Sequence, residues 1–155
     1  MRKTMYFPWI FGTELVGILS GIFSRNGIML YAEDVQKPQL APPAILFPVV
    51  WTILYALMGI GAARVASKPD GIIRSRALNS YVVQLILNFF WSLIFFNLQA
   101  FGFAFIWLLM LWVLIIVMMF FFYRADRPAA LLQIPYFLWA SFVAYLNFAV
   151  CQMNR

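Results

Sequence analysis

The chain of 155 residues has no histidine, a single cysteine, Cys151, and only five acidic residues. Without imidazole it lacks the usual zinc ligand, the commonest proximal haem ligand and the side chain that titrates near neutral pH. Ser-His-Asp chemistry is excluded. One cysteine closes no intramolecular disulfide and builds no Cys-rich metal site, so Cys151 reads as a buried, inert thiol and no cofactor is expected. Charge is scarce overall: Asp, Glu, Lys and Arg make up 10% of the chain, against about 25% in soluble domains. A water-facing surface cannot be built from so little, and a cytosolic enzyme is excluded with it.

What the chain does have is apolar. Hydrophobic residues form 65% of it and its mean hydropathy is +0.89, where soluble domains hold roughly 45–50% apolar residues. A membrane helix takes about 20 apolar residues, and windows of that kind run over 5–23, 47–65, 81–98, 101–123 and 131–150. The expected fold is an all-α integral membrane protein, one domain over 1–155, with five transmembrane helices and no room for a separate catalytic or nucleic-acid-binding domain. Glu14 in the middle of the first window, and the lack of a clean cleavage site after it, argue for a retained helix over a signal peptide.

The net charge of +6 is explained by topology and not by nucleic acid. Arg2, Lys3, Arg64, Lys68, Arg74, Arg76, Arg124 and Arg127 fall on one side, and Arg25, Lys37 and Arg155 on the other, which predicts a cytoplasmic N-terminus. Spans three and four are separated by little more than Gln99 and Ala100, so they are antiparallel neighbours. Asp126, ahead of Arg127-Pro128, is an N-cap candidate for the fifth span. The long stretch from Arg25 to Leu46 exceeds a simple turn and is placed to fold over one mouth of the bundle.

Few residues here can carry chemistry. Glu14 is the one acid in the middle of a span, with no basic residue at its depth; it reads either as a protonated carboxyl hydrogen-bonded within the bundle or as a proton relay. Gly17 and Gly21 form a small-xxx-small motif that permits close approach of a helix. At helical spacing, Trp51, Tyr55 and Met58 share one face, Asn88, Trp91 and Phe95 a second, and Trp139, Val143 and Asn147 a third. Trp9 and Trp107 fit an interfacial belt. The three faces, turned inward, would wall a pocket for a flat hydrophobic ligand, although plain bundle packing gives the same spacing.

Lys37-Pro38 with Pro42-Pro43, followed by Phe47-Pro48-Val49-Val50-Trp51-Thr52-Ile53-Leu54-Tyr55-Ala56-Leu57-Met58-Gly59, resembles the KP-xx-xPP, W(T/G)xLYxxMG block of the TspO/MBR family. Two more blocks agree, Gln84 to Trp91 with Phe95-Phe96, and Pro135 to Trp139 with Leu146-Asn147. The resemblance implies a five-helix bundle with a ligand cavity closed by the first loop. It also implies binding of porphyrins such as protoporphyrin IX, of sterols and of isoquinoline carboxamides, and a possible homodimer. By the same resemblance, Trp51 and Trp139 match tryptophans that some bacterial members need for light-dependent porphyrin breakdown. Phe47, Val50, Tyr55, Asn88, Trp91, Val143 and Leu146 match other cavity positions, Phe95 and Asn147 join the candidate site through the helical faces above, and Pro42 and Pro43 fix the loop where it enters span two.

The chain departs from the family pattern at several points. Ile45 stands where many members have tryptophan, Ala41 where mammalian members have histidine, and Asn79 and Val83 replace a glycine pair of a dimer motif. Tyr145 lies too far from Arg155 for the C-terminal sterol consensus. The expected function is a membrane receptor or sensor for protoporphyrin IX and related flat molecules. A light- and oxygen-dependent porphyrin-degrading enzyme and a tetrapyrrole or sterol transporter are the alternatives. Short loops and no transit-peptide-like arm point to a bacterial inner membrane.

Overall fold

A computed structural model describes residues 5–43 and 46–154; Arg2, Lys3, Ile45 and Arg155 lie outside the described residues. Among these, the chain forms α1 (Tyr6–Phe23), α2 (Arg25–Asp34), α3 (Leu46–Ala66), α4 (Ile72–Ser92), α5 (Phe101–Ala125), α6 (Arg127–Leu131) and α7 (Ile134–Met153). A π-helical turn, Leu93–Asn97, continues α4. Five helical stretches are long and apolar enough to cross a membrane: Tyr6–Phe23, Leu46–Ala66, Ile72–Asn97, Phe101–Ala125 and Arg127–Met153. The protein is an integral, multi-pass membrane protein.

The third span starts at Ile72, well before the apolar window at Tyr81. Arg74 and Arg76 lower the hydropathy of that first part without breaking the helix. Instead Arg74 stitches the preceding turn, donating to the Ala66 carbonyl from Nη2 at 2.9 Å and to Asp70 Oδ1 from Nη1 at 2.9 Å. Spans three and four meet in a tight corner where Gln99 takes φ 49°, a left-handed conformation that few side chains adopt.

Large apolar side chains such as Phe7, Phe11, Ile53, Ile106 and Phe120 are exposed on the outside, where lipid is the solvent. The interior is close-packed around Met58, Ile115, Met118, Phe122 and Tyr136, all fully buried. Helix α3 approaches α1 closely because Gly59 faces the α1 backbone at Trp9 and Ile10: a Cβ there would stand 2.6 Å from Ile10 Cα. Lipid supplies no hydrophobic drive between helices, so small residues at the crossing let van der Waals contact do that work. Trp107 is spent on packing, its indole Nε1 donating to the Leu87 carbonyl at 2.8 Å.

Both ends of the bundle are tied. At the end bearing Tyr6, Asp126 caps α6 by accepting from the Ala129 amide at 3.1 Å, and receives Arg64 Nε at 2.7 Å and Lys68 Nζ at 3.1 Å. Burial of this carboxyl raises its pKa, and the hydrogen bonds and charges of Arg64 and Lys68 more than reverse that, holding it below the usual carboxylate value. At the other end α2 lies over the mouth of the bundle. Gly27 packs on the backbone of Phe96, and the Tyr31 ring lies 5.3 Å from Phe95 and 5.2 Å from Phe96 between centroids. Gln36 and Asn154 then exchange a reciprocal pair of hydrogen bonds at 3.0 and 2.9 Å, fastening the loop to the end of α7.

Candidate functional site

Beneath α2 and the loop, a cavity of about 530 Å³ opens between α1, α3, α4 and α7. The sequence explains why it is hollow and aromatic. On α3 a four-residue rhythm brings Phe47, Trp51 and Tyr55 to its wall; on α4 and its continuation Asn88, Trp91 and Phe95 follow at spacings of three and four residues; α7 contributes Val143, Leu146 and Asn147. Pro42 lines the loop side. The π turn adds one residue to the helical repeat, and Phe96 joins Phe95 on the wall.

Three residues expected at the site stand elsewhere. Pro43 and Val50 are not part of the wall, since Val50 sits one position, about 100° of helix, from Trp51. Trp139 stands behind the wall, edge-on to Trp51 at 6.3 Å and to Phe47 at 5.6 Å between ring centroids. Its indole nitrogen is buried without a hydrogen-bond partner among the described residues.

Sequence reasoning also missed a whole wall. Helix α1 contributes Glu14, Gly17, Ile18 and Gly21, and α2 and the loop contribute Ile28, Tyr31 and Lys37. The signal for α1 was present in Gly17 and Gly21, but a glycine pair reads first as a helix contact. Here Gly17 is covered by the Tyr55 ring, while a Cβ on Gly21 would meet nothing within 4 Å.

The deep end of the cavity is a buried hydrogen-bond chain. Tyr55 Oη donates to Asn88 Oδ1 at 2.8 Å, Asn88 Nδ2 donates to Tyr136 Oη at 2.8 Å, and Tyr136 Oη donates to Gln84 Oε1 at 2.7 Å. Each member satisfies the next, which is how polar groups persist away from water. The Trp91 indole donates to Asn147 Oδ1 at 3.1 Å, and Asn147 Nδ2 donates to the Phe101 carbonyl at 2.9 Å. Asn88 and Trp91 therefore serve first as scaffold. At the mouth Lys37 Nζ donates to the carbonyls of Val35 at 2.9 Å and Ala32 at 3.2 Å, and sits 4.9 Å above the Tyr31 ring. Burial raises the pKa of the Tyr31 phenol, which stays a neutral donor. Among the described residues no group of three His, Cys, Asp or Glu is placed to hold a metal ion.

Fold and site define a class: a multi-pass helical membrane protein with an aromatic-walled cavity near one membrane face. The chain belongs to the TspO/MBR family, whose profile matches residues 9–153. It is 37% identical over 142 residues to the tryptophan-rich protein TspO of Chlorobaculum tepidum, covering 90% of this chain and 89% of the relative. It is 33% identical over 122 residues to the tryptophan-rich sensory protein of Cereibacter sphaeroides, covering 79% and 75%. With the Homo sapiens translocator protein it shares 33% identity over 132 residues, covering 84% and 78%.

Proposed function

We propose that the protein is a membrane receptor or sensor that binds porphyrins, protoporphyrin IX foremost, together with related flat hydrophobic molecules. The observation that carries this reading is the ring of Phe47, Trp51, Tyr55, Trp91 and Phe95 around a cavity of about 530 Å³. Sites for one drug-sized ligand are apolar clefts of roughly 300–1,000 Å³ with few polar anchors. A tetrapyrrole ring stacks on such walls, and Lys37 at the mouth is placed to meet propionate groups. The chain has no histidine, so metal-free porphyrin suits the cavity at least as well as haem.

A dark titration of detergent-purified protein with protoporphyrin IX, followed by tryptophan quenching, tests this. Saturable one-site quenching is expected; its absence overturns the reading.

The edge-on contact of Trp51 with Trp139 favours a second reading, light- and oxygen-dependent porphyrin breakdown, in which this pair passes an electron to or from the excited ligand. A W51F or W139F variant that binds porphyrin but no longer converts it would support the enzyme; conversion unchanged in both would remove it. The proposal places the protein in a bacterial inner membrane with its N-terminus cytoplasmic, since Arg64, Lys68, Arg74, Arg76, Arg124 and Arg127 gather at the end bearing Tyr6. A homodimer is expected as well, and tetrapyrrole or sterol movement is tested by a flux assay in proteoliposomes.

A further inference from the structure

Glu14 is at the midpoint of α1 and lines the deep part of the cavity. The neighbouring polar side chains are already engaged within the protein. Thr52 donates to the Pro48 carbonyl, Ser92 pairs with Ser24, Tyr55 with Asn88, and Trp91 with Asn147. Glu14 is not: among the described residues its carboxyl makes no salt bridge and no side-chain hydrogen bond. Among the described residues the one base on the wall is Lys37, held at the mouth by two loop carbonyls and the Tyr31 ring.

An acid at mid-membrane depth is costly unless a partner answers it. The geometry of α1 shows where the partner would stand. Glu14, Gly17, Ile18 and Gly21 form the stripe of α1 that faces the cavity, and Gly17 and Gly21 carry no side chain to screen the carboxyl. The same wall carries the aromatic rings of Trp51, Tyr55 and Trp91, and aromatic faces attract cations independently of any carboxylate.

We infer that the cavity is also a binding site for flat aromatic amines that are protonated at neutral pH, with Glu14 as the group that selects the cation. This is a ligand class beyond the porphyrin reading and does not depend on it. The ammonium or ring N–H donates to the Glu14 carboxylate while the aromatic body stacks on the tryptophan and tyrosine walls. Neutral molecules of the same shape stack equally but leave Glu14 unpaired.

The test uses full-length protein in dodecylmaltoside and two probes of the same shape, cationic 9-aminoacridine and neutral acridine, compared by titration calorimetry at pH 7.5. Wild type is expected to bind the cation about tenfold or more tightly than acridine, the scale of one charged hydrogen bond. E14Q is expected to bring the two affinities together by weakening only the cation, and E14D to keep part of the preference. Equal affinities in wild type, or a preference that survives in E14Q, would overturn the inference. Acridine binding by E14Q reports that the variant is folded; should it fail to fold, the wild-type ratio and E14D decide. Protoporphyrin IX titrated into the same wild-type sample separates the two readings. Porphyrin binding without cation preference sinks this one alone, and Glu14-dependent cation binding without porphyrin sinks the other alone.

Discussion

Trp51 lines the cavity and Trp139 stands behind it, the two indoles meeting edge-on with planes at 86°. Trp51 offers a ring to whatever enters, whereas Trp139 acts through Trp51 and Phe47. Substitution at the two positions should therefore separate. W51A should weaken dark binding of protoporphyrin IX by about 1–2 kcal/mol, roughly tenfold, through lost stacking. W139F should leave that affinity within about twofold, because the replaced ring does not reach the cavity wall. Quenching titrations of both variants check this; a larger loss in W139F than in W51A would reverse the assignment.

Tyr136 is fully buried and joins Asn88 to Gln84. Y136F removes the hydroxyl and leaves an amide donor and a carbonyl acceptor unanswered in the bundle, at a cost of about 1–2 kcal/mol. Denaturation in detergent should show that loss, while Y136F combined with Q84L, which removes the orphaned acceptor and leaves Asn88 to Tyr55, should recover part of it.

Gly21 and Gly59 should respond oppositely to a side chain. At Gly59 even a methyl group meets the α1 backbone, so G59A should destabilise the bundle by about 1–3 kcal/mol. At Gly21 the space is open toward the cavity. G21L should leave the melting temperature unchanged or slightly raised while reducing ligand affinity about tenfold or more by filling the site. Melting and binding measured side by side distinguish the two.

Asp126 sets an acid limit on stability. Its pKa in the folded protein is below the ordinary 3.8, so the carboxylate binds its proton more readily once unfolded. The stabilisation is present above the unfolded value and is lost as pH falls through the folded one. Because Arg64 and Lys68 are about a third and two-fifths exposed, screening keeps the effect modest. Stability should be flat from neutrality to about pH 4 and then fall, with D126N less stable at pH 7 and flatter below it.

The Gln36–Asn154 pair is exposed, so N154A should scarcely alter global stability. It should instead loosen the loop and raise the ligand dissociation rate by about two- to fivefold, as the loss of one or two exposed hydrogen bonds allows. Stopped-flow release of porphyrin measures it.

Hydropathy made the five spans legible because lipid demands long uninterrupted apolar helices. The wall positions on α3, α4 and α7 were legible because aromatic and amide side chains recur there at helical spacing. Elsewhere the pattern carried no such mark. Helix α2 is too short and polar for a hydropathy window, and is held by Gly27 and Tyr31 against the π turn, a contact only the fold creates. The π turn shifts the helical phase without a local sequence signal. Trp139 shares its helical face with Val143, yet whether a ring lies at the wall or behind it depends on what stands in front, here Trp51.

Below Tyr55 and Asn88, the next turns of α3 and α4 bring in Met58 and Gln84, packed with Ile115, Phe122 and Tyr136 and closed to solvent. To a ligand the two sides of the membrane are thus inequivalent. The bundle is a vessel with a floor: a ligand would exchange with the compartment and lipid around its α2 end, and occupancy would follow the chemical potential there. Passage along its axis from face to face would require that floor to come apart.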